Sequence, residues 1–443
     1  MRPGGVMGIV RAALAVAAMG LARPAAAQSA NAPQSFTQWA RSNAIPLRPV
    51  DDPYVDSSFA FLRPLVGSAR VLALGELIHR AHEPLAFRNE VIRYAVTHLG
   101  FTAVAIESGF SESAVVDSFI QGGAGNVDSI LRAGLSWNFG TLAENRELVL
   151  WLREHNAGAA RKVRFYGFDL TGADPANLAD LYLGAPLAIR DALEYLEHVT
   201  PAAGAHFMSR LGPLLDRFTP YRYHEYSSAE RTQVRVSLDS LDRALVTDSS
   251  RDVRASSPFS YARAARNAWM ALRLNDLLAM TASSSPAVVR ARTLMRDSLM
   301  AENIRWVLRT EGDSGRVVVF AHNVHLMNSP YPDGRRKGSI PTAGQHLRTW
   351  LGANEVVIGA TSSKTVGWPD SPSDAASFDA ALATVGLPSF VLDLRTSDRN
   401  PEVAAVLKRP RPFRVGSMFE PIVLREAADA VVYFDQVTAT AEH

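Results

Sequence analysis

The sequence predicts an α/β protein, with a central, mainly parallel sheet flanked by helices and a large all-helical insertion that forms a lid or subdomain. Short apolar runs alternate with amphipathic helical segments in both halves of the chain. Several of these runs stop at a polar residue. Between about residues 175 and 310, helical periodicity continues without a convincing strand. Together these observations place a helical segment inside an α/β core.

The first strand–helix–strand unit occupies residues 71–108. Two apolar runs predict parallel strands that end at Glu76 and at Glu107. Between them, apolar residues recur at three- and four-residue steps over 83–98, which predicts an amphipathic helix. Gly100 is suited to end this helix, because glycine adopts the left-handed conformation found there.

The rest of the chain supplies further strands and the insertion. A strand at 163–168 ends at Asp169, and another at 316–320 leads to His322. Residues 328–341, rich in Gly, Pro and Arg, predict a loop. The predicted organisation is a signal peptide at 1–27, the N-terminal half of the α/β core at 28–174, a helical insertion or lid at 175–310, and the C-terminal half of the core at 311–443, with more strands at 356–360, 390–394 and 430–433.

The N-terminus has the order of a secretory signal peptide. Arg2 and Arg11 precede an apolar run at 12–22, and small residues precede the expected cleavage near Ala27. We therefore expect export, either to the periplasm or out of the cell. No second run of about 18 apolar residues follows, so we expect no membrane span in the mature chain.

Composition excludes several classes of function. The 443 residues carry a formal net charge of +2, so no strong basic field exists to attract nucleic acid. Cysteine is absent, which rules out disulfides, thiolate nucleophiles and thiolate metal ligands. There is no G-x-S-x-G elbow, P-loop or G-x-G-x-x-G motif. An α/β hydrolase with a nucleophilic serine is therefore disfavoured.

Four predicted strands end on, or just before, a polar residue: Glu76, Glu107, Asp169 and His322. The carboxyl ends of parallel strands share one edge of a sheet, which is where ligands bind. We therefore expect these four side chains to converge in one crevice. Asp169 also fits a helix cap, and its role stays open between the two.

His79 is the candidate general base. It follows Glu76 by three residues, so the two share a side of a helical turn, and a neighbouring carboxylate fixes an imidazole tautomer and raises its basicity. Glu76 alternatively only caps the next helix. Glu107 is expected to orient His79, or else to form a buried ion pair with Arg88. Arg88 lies on the intervening helix, where it is placed to bind a substrate carbonyl or to hold an acid.

Two other readings remain open. His322 and His325 form an H-x-x-H pair after a strand, and histidines beside acids suit a divalent metal, although the pattern is not H-E-x-x-H. A metal-dependent esterase or peptidase built on this Glu/His cluster is one alternative. A non-enzymatic ligand-binding protein of the cell envelope is the other. His82 either extends the face of His79 or lies at the surface.

From about residue 60 to 436 the chain resembles the erythromycin esterase family. The motifs that carry the resemblance are Gly75-Glu76-x-x-His79 with Glu83, Arg88 and Ile106-Glu107; Trp137 with Glu144; Phe165-Tyr166-Gly167-x-Asp169; Arg296-Asp297 with Met300-Ala301-x-Asn303; and Ala321-His322-Asn323-x-His325.

The resemblance implies hydrolysis of a macrolide lactone ester by an activated water, with no acyl-enzyme and no required cofactor. His79 would then be the base, oriented by Glu107, while Glu76 holds the water or the imidazole. Donors aimed at developing negative charge are needed in such a reaction. The implied catalytic residues are His79, Glu107, Glu76 and His322, and the implied substrate-binding residues are Arg88, His325 and Asp169. The expected partner is a small-molecule ester.

Overall fold

The computed structural model describes residues 34–171, 173–174, 177–247, 249–333, 338–368 and 374–443. The predicted signal peptide, residues 1–27, lies outside the described residues. None of the helices in these ranges has the length and apolar character needed to cross a membrane.

An eight-stranded sheet forms the centre of the described structure, in the order β1-β11-β14-β10-β2-β7-β3-β4. The strands are β1 (Ile45–Pro46), β2 (Val71–Glu76), β3 (Ala103–Gly109), β4 (Arg164–Asp169), β5 (Ala173–Asp174), β6 (Asn177–Leu181), β7 (Val317–His322), β8 (Tyr331–Asp333), β9 (Gly338–Ile340), β10 (Glu355–Val366), β11 (Ser389–Asp393), β12 (Arg411–Val415), β13 (Met418–Ile422) and β14 (Ala430–Thr438). Neighbours from β14 to β4 are parallel, and β11 runs antiparallel to both β14 and β1. The predicted fold class is confirmed.

Helices cover the sheet and make up most of residues 185–310. They are α1 (Gln34–Asn43), α2 (Leu62–Val66), α3 (His82–Leu99), α4 (Ala114–Ile120), α5 (Val127–Gly134), α6 (Ala143–Gly158), α7 (Ala185–Val199), α8 (Pro201–Leu211), α9 (Ser228–Thr247), α10 (Ser249–Ala255), α11 (Pro258–Thr281), α12 (Pro286–Thr310), α13 (Asn323–Leu326), α14 (Ala343–Leu351), α15 (Phe378–Ala383), α16 (Pro401–Leu407) and α17 (Leu424–Ala427). Within the helical segment α11 packs on α7, α9 and α12, and α12 also packs on β4.

Strand β2 shows why the central runs are continuously apolar. Its side chains alternate between the two faces of the sheet, so Val71 and Ala73 join one buried cluster while Leu72 and Leu74 join the other. Helices cover both faces, and each position is therefore buried.

Three hairpins depart from the sequence-based expectations. The pair β5–β6 places a strand where none was expected after residue 175, and β8–β9 occupies part of the expected loop at 328–341. The pair β12–β13 was not predicted. These strands are two to five residues long, and such runs carry too little alternation to be told from loops.

Gly75 allows a side chain to cross the end of β2. Asn323 donates to the carbonyl of Ala360 at 2.7 Å and accepts from its N–H at 3.2 Å, which ties α13 to β10. A Cβ on Gly75 would lie 2.1 Å from Asn323 Oδ1. A side chain at this position, immediately before Glu76, would therefore displace the Asn323 amide.

Candidate active site

The carboxyl ends of the central strands bring the predicted residues together. In the β2–β7 pairing Glu76 is the partner of His322, and β3 lies on the other side of β7. Glu107 Oε2 accepts from the backbone N–H of His322 at 2.9 Å. The side chains that end four separate strands thus meet at one edge of the sheet, because Asp169 of β4 joins Glu107 through a shared arginine described below.

His79 and Glu76 form a close pair. His79 Nδ1 lies 2.6 Å from Glu76 Oε1, and the Glu76 side chain is 2% exposed while that of His79 is 37% exposed. Burial lowers the pKa of His79, but the Glu76 carboxylate, followed by Glu107, outweighs burial, so the pKa lies above its ordinary value. With Nδ1–H donating to Glu76, Nε2 is the acceptor of the neutral ring. The pair therefore has the geometry of a base and its orienting acid.

Glu107 faces a different set of partners. Its Oε1 lies 3.2 Å from Arg296 Nη2 and 3.3 Å from His325 Nε2. Burial raises the pKa of Glu107, but His325, His79 and Arg296 together hold it well below its usual range. Glu76 accepts the hydrogen bond that orients His79, whereas Glu107 is held by the cations and by the backbone N–H of His322.

Helix α12 contributes two charged side chains to this edge. Arg296 donates to Asp169 at 2.5 and 3.2 Å, which bridges Asp169 to Glu107. Burial lowers the pKa of Arg296, but Asp169 and then Glu107 raise it above its usual value. Asp297 Oδ1 lies 2.9 Å from His325 Nδ1.

His325 is held as a cation between carboxylates. Burial lowers its pKa, but Asp297 and Glu107 overcome this effect and raise the pKa to about 10. This pKa favours the protonated ring at neutral pH. Nδ1 bonds Asp297, while Nε2 lies 3.3 Å from Glu107 Oε1 and 3.2 Å from Arg296 Nη1.

His322 is held neutral beside the candidate base. Burial, together with the neighbouring His79, lowers its pKa to about 3. Its Nε2–H donates to the carbonyl of Leu77 at 3.0 Å, and Nδ1 accepts from the N–H of Val324 at 3.3 Å. The ring centroids of His322 and His79 are 5.1 Å apart. A neutral donor thus lies next to a basic imidazole.

Arg88 lies behind the acids. It is 1% exposed, donates to Asn89 Oδ1 at 2.8 and 3.1 Å, and lies over the Phe320 ring at 4.7 Å. Burial lowers its pKa to about 10, against the opposing effect of Glu76. A narrow internal cavity that Arg88 lines is also lined by Glu76 and Glu107. In this conformation Arg88 therefore faces the buried acids.

His82 belongs to a different cluster. Its Nδ1 lies 2.5 Å from Glu144 Oε1 and its Nε2 lies 3.1 Å from Asp51. The hydrogen bond with Glu144 raises the pKa of His82 to about 9, since its effect is larger than the opposing effect of burial. Across the described ranges, no group of three or more His, Asp or Glu side chains is arranged to hold a metal ion.

The C-terminal residues tie two loops of the site together. The N–H of Thr440 donates to Arg80 O at 3.0 Å, beside His79. The N–H of Ala143 donates to Ala441 O at 3.1 Å, close to Phe139, whose ring centroid lies 5.3 Å from that of His79. These contacts couple the position of the His79 loop to that of the Phe139 loop.

Arg296, Asp297 and Phe139 were not among the individually predicted site residues. A signal for Asp297 was present, since it shares a buried helix face with Met300, Ala301 and Ile304, at spacings of three and four. A charged residue on such a face requires a partner. Phe139 carried no such signal, because a buried aromatic residue in a loop is ordinarily part of the core.

Comparisons with known proteins agree with this architecture. A model of the erythromycin esterase family matches residues 96–437. Erythromycin esterase type II of Escherichia coli is 27% identical over 339 residues, covering 74% of this chain and 77% of that protein. A Bacillus cereus crystal structure has a TM-score of 0.78 at 22% identity, covering 92% of this chain and 98% of that one. An EreC erythromycin esterase mutant in its open conformation has a TM-score of 0.67 at 18% identity, covering 89% and 98%.

The two solved structures share the α/β fold of this protein. The family match extends over most of the chain. The chain therefore belongs to the erythromycin esterase family, which confirms the resemblance noted in the sequence, and this membership implies ester hydrolase activity.

Proposed function

We propose that the protein is a carboxylic-ester hydrolase in which His79 activates a water molecule that attacks the ester carbonyl without forming an acyl-enzyme. The observation that carries this proposal is the 2.6 Å contact of His79 Nδ1 with the buried Glu76 carboxylate, in a histidine whose side chain is 37% exposed. The contact leaves Nε2 as the acceptor for a water proton, and it stabilises the imidazolium that forms.

The reaction proceeds in two steps. Water loses a proton to His79 Nε2 while its oxygen bonds to the carbonyl carbon, and the carbonyl electrons move onto its oxygen. The tetrahedral intermediate then collapses, the C–O bond to the alcohol breaks, and the imidazolium returns the proton to the leaving oxygen. His322 Nε2–H, now bound to Leu77 O, is the neutral donor beside His79 that would turn to the oxyanion.

The charges around Glu107 support this division of roles. Arg296 is paired with Glu107 and Asp169, and His325 is paired with Glu107 and Asp297, so these two side chains hold the Glu107 carboxylate in place beside the reaction centre. We place Asp169 and Arg88 behind this layer, where they hold Arg296 and neutralise the buried acids.

For the substrate we propose a macrocyclic lactone of the erythromycin type. The support is family membership and the likeness to erythromycin esterase type II, at 27% identity. We also propose that residues 175–310 cover the cleft and help set specificity, since α12 delivers Arg296 and Asp297 to the site.

The test is hydrolysis of a 14-membered macrolide, and of a panel of simple esters, by the purified protein. A gain of one water is measured by mass spectrometry with and without a chelator. His79→Ala is compared with His206→Ala, which changes an exposed histidine on α8. Turnover that survives chelation, persists in His206→Ala and disappears in His79→Ala is expected.

Other outcomes point elsewhere. Loss of turnover on chelation favours the metal-dependent alternative. Hydrolysis of simple esters alone removes the macrolide claim but keeps the reaction. A folded wild-type protein that hydrolyses none of these esters contradicts the proposal.

For location we propose export, on the basis of the signal-peptide pattern at 1–27. Mass spectrometry of the protein recovered from the periplasm and medium tests this. A mature N-terminus near Gln28 is expected, and an intact Met1 in a cytoplasmic fraction contradicts it.

A further inference from the structure

Two buried serines join the end of strand β3 to the loop at residues 136–142. The backbone N–H of Ser136 donates to Ser108 Oγ at 2.8 Å, and the N–H of Gly109 donates to Ser136 Oγ at 2.9 Å. Ser108 Oγ also donates to Ser136 Oγ at 3.3 Å. We call Ser108 and Ser136 the serine pair. Each hydroxyl satisfies a backbone donor of the other segment, and the proposed hydrolytic step uses neither hydroxyl.

The serine pair lies at a bulge in β3. Residues 106–109 of β3 lie opposite residues 167–169 of β4, so β3 has one residue more over this stretch. A bulge of this kind re-aims the side chains within it. Gly167 makes room for the bulge, because a Cβ there would lie 2.5 Å from the carbonyl oxygen of Ser108. The bulge contains Glu107 as well as Ser108, so the serine pair holds the backbone that carries one of the site carboxylates.

A closed turn connects the serine pair to Phe139. The N–H of Phe139 donates to the carbonyl of Ser136 at 2.9 Å, and the two residues between them, Trp137 and Asn138, have φ angles of +62° and +60°. Positive φ at both central positions is typical of a type I′ turn, which usually contains glycine. Other residues keep this conformation only where the surrounding contacts hold it. The position of Ser136 therefore sets the position of Phe139.

Phe139 packs against the candidate base. Its ring centroid lies 5.3 Å from that of His79, and the ring of His322 lies 5.1 Å from His79. The Phe139 ring is itself buried, so it has little freedom to move unless its loop moves. It occupies space into which the imidazole could otherwise turn. A general base must stay within hydrogen-bond reach of the proton that it takes, so this contact bears on the reaction.

We propose that Ser108 and Ser136 are positioning residues for the base His79 and act through Phe139. Without either hydroxyl, a buried backbone N–H loses its acceptor and the start of the loop is free to shift. Phe139 then no longer holds the imidazole in place. The effect on catalysis rests on the proposed ester hydrolysis, whereas the coupling of the serine pair to His79 can be measured without any ester.

Three substitutions test this coupling. Ser136→Ala removes the acceptor for the N–H of Gly109, and Ser108→Ala removes the acceptor for the N–H of Ser136. Phe139→Leu removes the ring that contacts His79 and keeps an apolar side chain. The double variant Ser136→Ala/Phe139→Leu shows whether the serine acts through the ring, since coupled residues give non-additive effects.

Ser397→Ala is the matched control. The Ser397 hydroxyl is also buried, and it donates to the carbonyl of Leu394 at 2.5 Å. Asp393, the last residue of β11, pairs with Ala430, the first residue of β14, so Ser397 lies beyond the amino ends of the parallel strands. The control therefore removes a buried hydrogen bond at the end of the sheet opposite to the site.

The first measurement is the pKa of His79. Its Cε1–H signal is followed by NMR in protein labelled with ¹³C-histidine, and the signal is assigned by its absence in His79→Ala. The titratable groups that act on His79 are Glu76, Glu107, His322 and His325, and the variants leave all four in place. Burial is the largest influence on the pKa of His79, and burial lowers it.

Uncovering the imidazole should therefore raise the pKa of His79. We expect this increase in Ser136→Ala, in Ser108→Ala and in Phe139→Leu. Ser136→Ala should produce no further increase once Phe139 has been replaced. Ser397→Ala should leave the pKa unchanged, although it lowers the unfolding temperature. Replacing Glu76 has the opposite sign, because its carboxylate raises the same pKa.

The second measurement is kcat/KM for the ester panel as a function of pH. Each serine variant should lower the plateau about tenfold, and its acid limb should move to higher pH. Ser397→Ala should change neither quantity. Thermal unfolding shows whether each variant is folded, and Ser108→Ala provides the test if Ser136→Ala is not.

The outcomes separate this inference from the proposed function. A pKa of His79 that is unmoved or lowered in the folded serine variants overturns the inference, even if esters are hydrolysed and the variants are less stable. An increase in Ser136→Ala that persists in full after Phe139→Leu also overturns it. A raised pKa that requires Phe139, in a protein that hydrolyses no ester, keeps the coupling and removes the proposed function.

Discussion

His325 Nδ1 lies 2.9 Å from Asp297 Oδ1, and on the opposite side of the ring Nε2 lies 3.3 Å from Glu107 Oε1. One imidazolium therefore joins a carboxylate from helix α12 to a carboxylate from strand β3. Because this cation and Arg296 satisfy Glu107, the carboxylate that bonds His79 is Glu76. The site thus holds two groups of paired charges, Glu107 with His325 and Arg296, and Glu76 with His79.

Glu76→Gln should shift the pH dependence of ester hydrolysis. The Glu76 carboxylate raises the pKa of His79, and the base must be neutral to act, so the wild-type kcat/KM should rise with pH through a pKa above the usual 6.5. Removing the charge lowers that pKa, so the acid limb should move to lower pH while the plateau falls about 10²-fold. The pH profile of kcat/KM measures both effects, and an unmoved acid limb would contradict the role of Glu76.

Asp297→Asn should reduce the loss of stability that the protein shows as the pH rises from 7 to 10. The pKa of His325 is raised to about 10, so its stabilisation is complete below about pH 6.5, the ordinary histidine value, and is lost as pH rises through about 10. The variant lowers this pKa, and its free energy of unfolding should fall less between pH 7 and 10. Urea titrations at several pH values measure this change, with Asp56→Asn, at an exposed histidine pair, as control. Parallel wild-type and Asp297→Asn curves would contradict the assignment.

Arg296→Met should be strongly destabilising. It leaves Glu107 and Asp169 buried without their shared cation, and breaking such a pair costs about 3–5 kcal/mol. The loss should shrink as pH falls, since protonation of the two acids removes the unpaired charge. Arg305→Met, whose side chain is 52% exposed beside Glu302, should cost less than about 1 kcal/mol. Equal losses in the two variants would show that the buried bridge contributes nothing special.

Gly75→Ala should disrupt the end of β2. Its Cβ would lie 2.1 Å from Asn323 Oδ1, so the amide must leave its two hydrogen bonds to Ala360. We expect a loss of about 2–4 kcal/mol by chemical denaturation. Gly158→Ala at the end of α6 meets nothing within 4 Å and should be neutral or stabilising by up to about 1 kcal/mol. A harmless Gly75→Ala would show that the crossing amide is not needed.

Thr440→Val should loosen the coupling of the two site loops. Its hydroxyl donates to the Glu144 carboxylate, so valine keeps the shape and leaves an acceptor unfilled. We expect a loss of about 1–3 kcal/mol in stability and a reduced kcat/KM, because the neighbouring backbone contact to Arg80 lies beside His79. Thr232→Val removes only an exposed bond within α9 and should change neither quantity noticeably. Unaltered kinetics in Thr440→Val would uncouple the chain end from the site.

The sequence allowed the central strands and their polar ends to be predicted, because both signals are local. A buried strand reads as a short apolar run, and Glu76 or Asp169 interrupts that run where the strand ends. The convergence of these residues followed from parallel strands sharing an edge. The sequence did not predict which of these side chains pair with each other. Arg296 bonds an acid 127 residues away, and only the packing of α12 on β4 decides which carboxylates it reaches.

The same limit applies to the Trp137 loop. Trp137 and Asn138 both adopt left-handed backbone conformations. No sequence pattern reliably predicts this conformation for a tryptophan, because the surrounding structure imposes it. Likewise, the sequence indicated that a carboxylate orients His79. Only the side-chain positions in the structure showed that this carboxylate is Glu76 and not Glu107.

The position of β7 between β2 and β3 has a consequence for how the chain folds. During synthesis β2 and β3 emerge more than 200 residues before β7, which lies between them. Until β7 is made, the edges of β2 and β3 that pair with it stay unpaired. Such late insertion makes folding slow, and it leaves the open edges vulnerable to association with other chains. A truncated product that stops before residue 317 should therefore aggregate, and coupling of synthesis to a chaperone should raise the yield of the full chain.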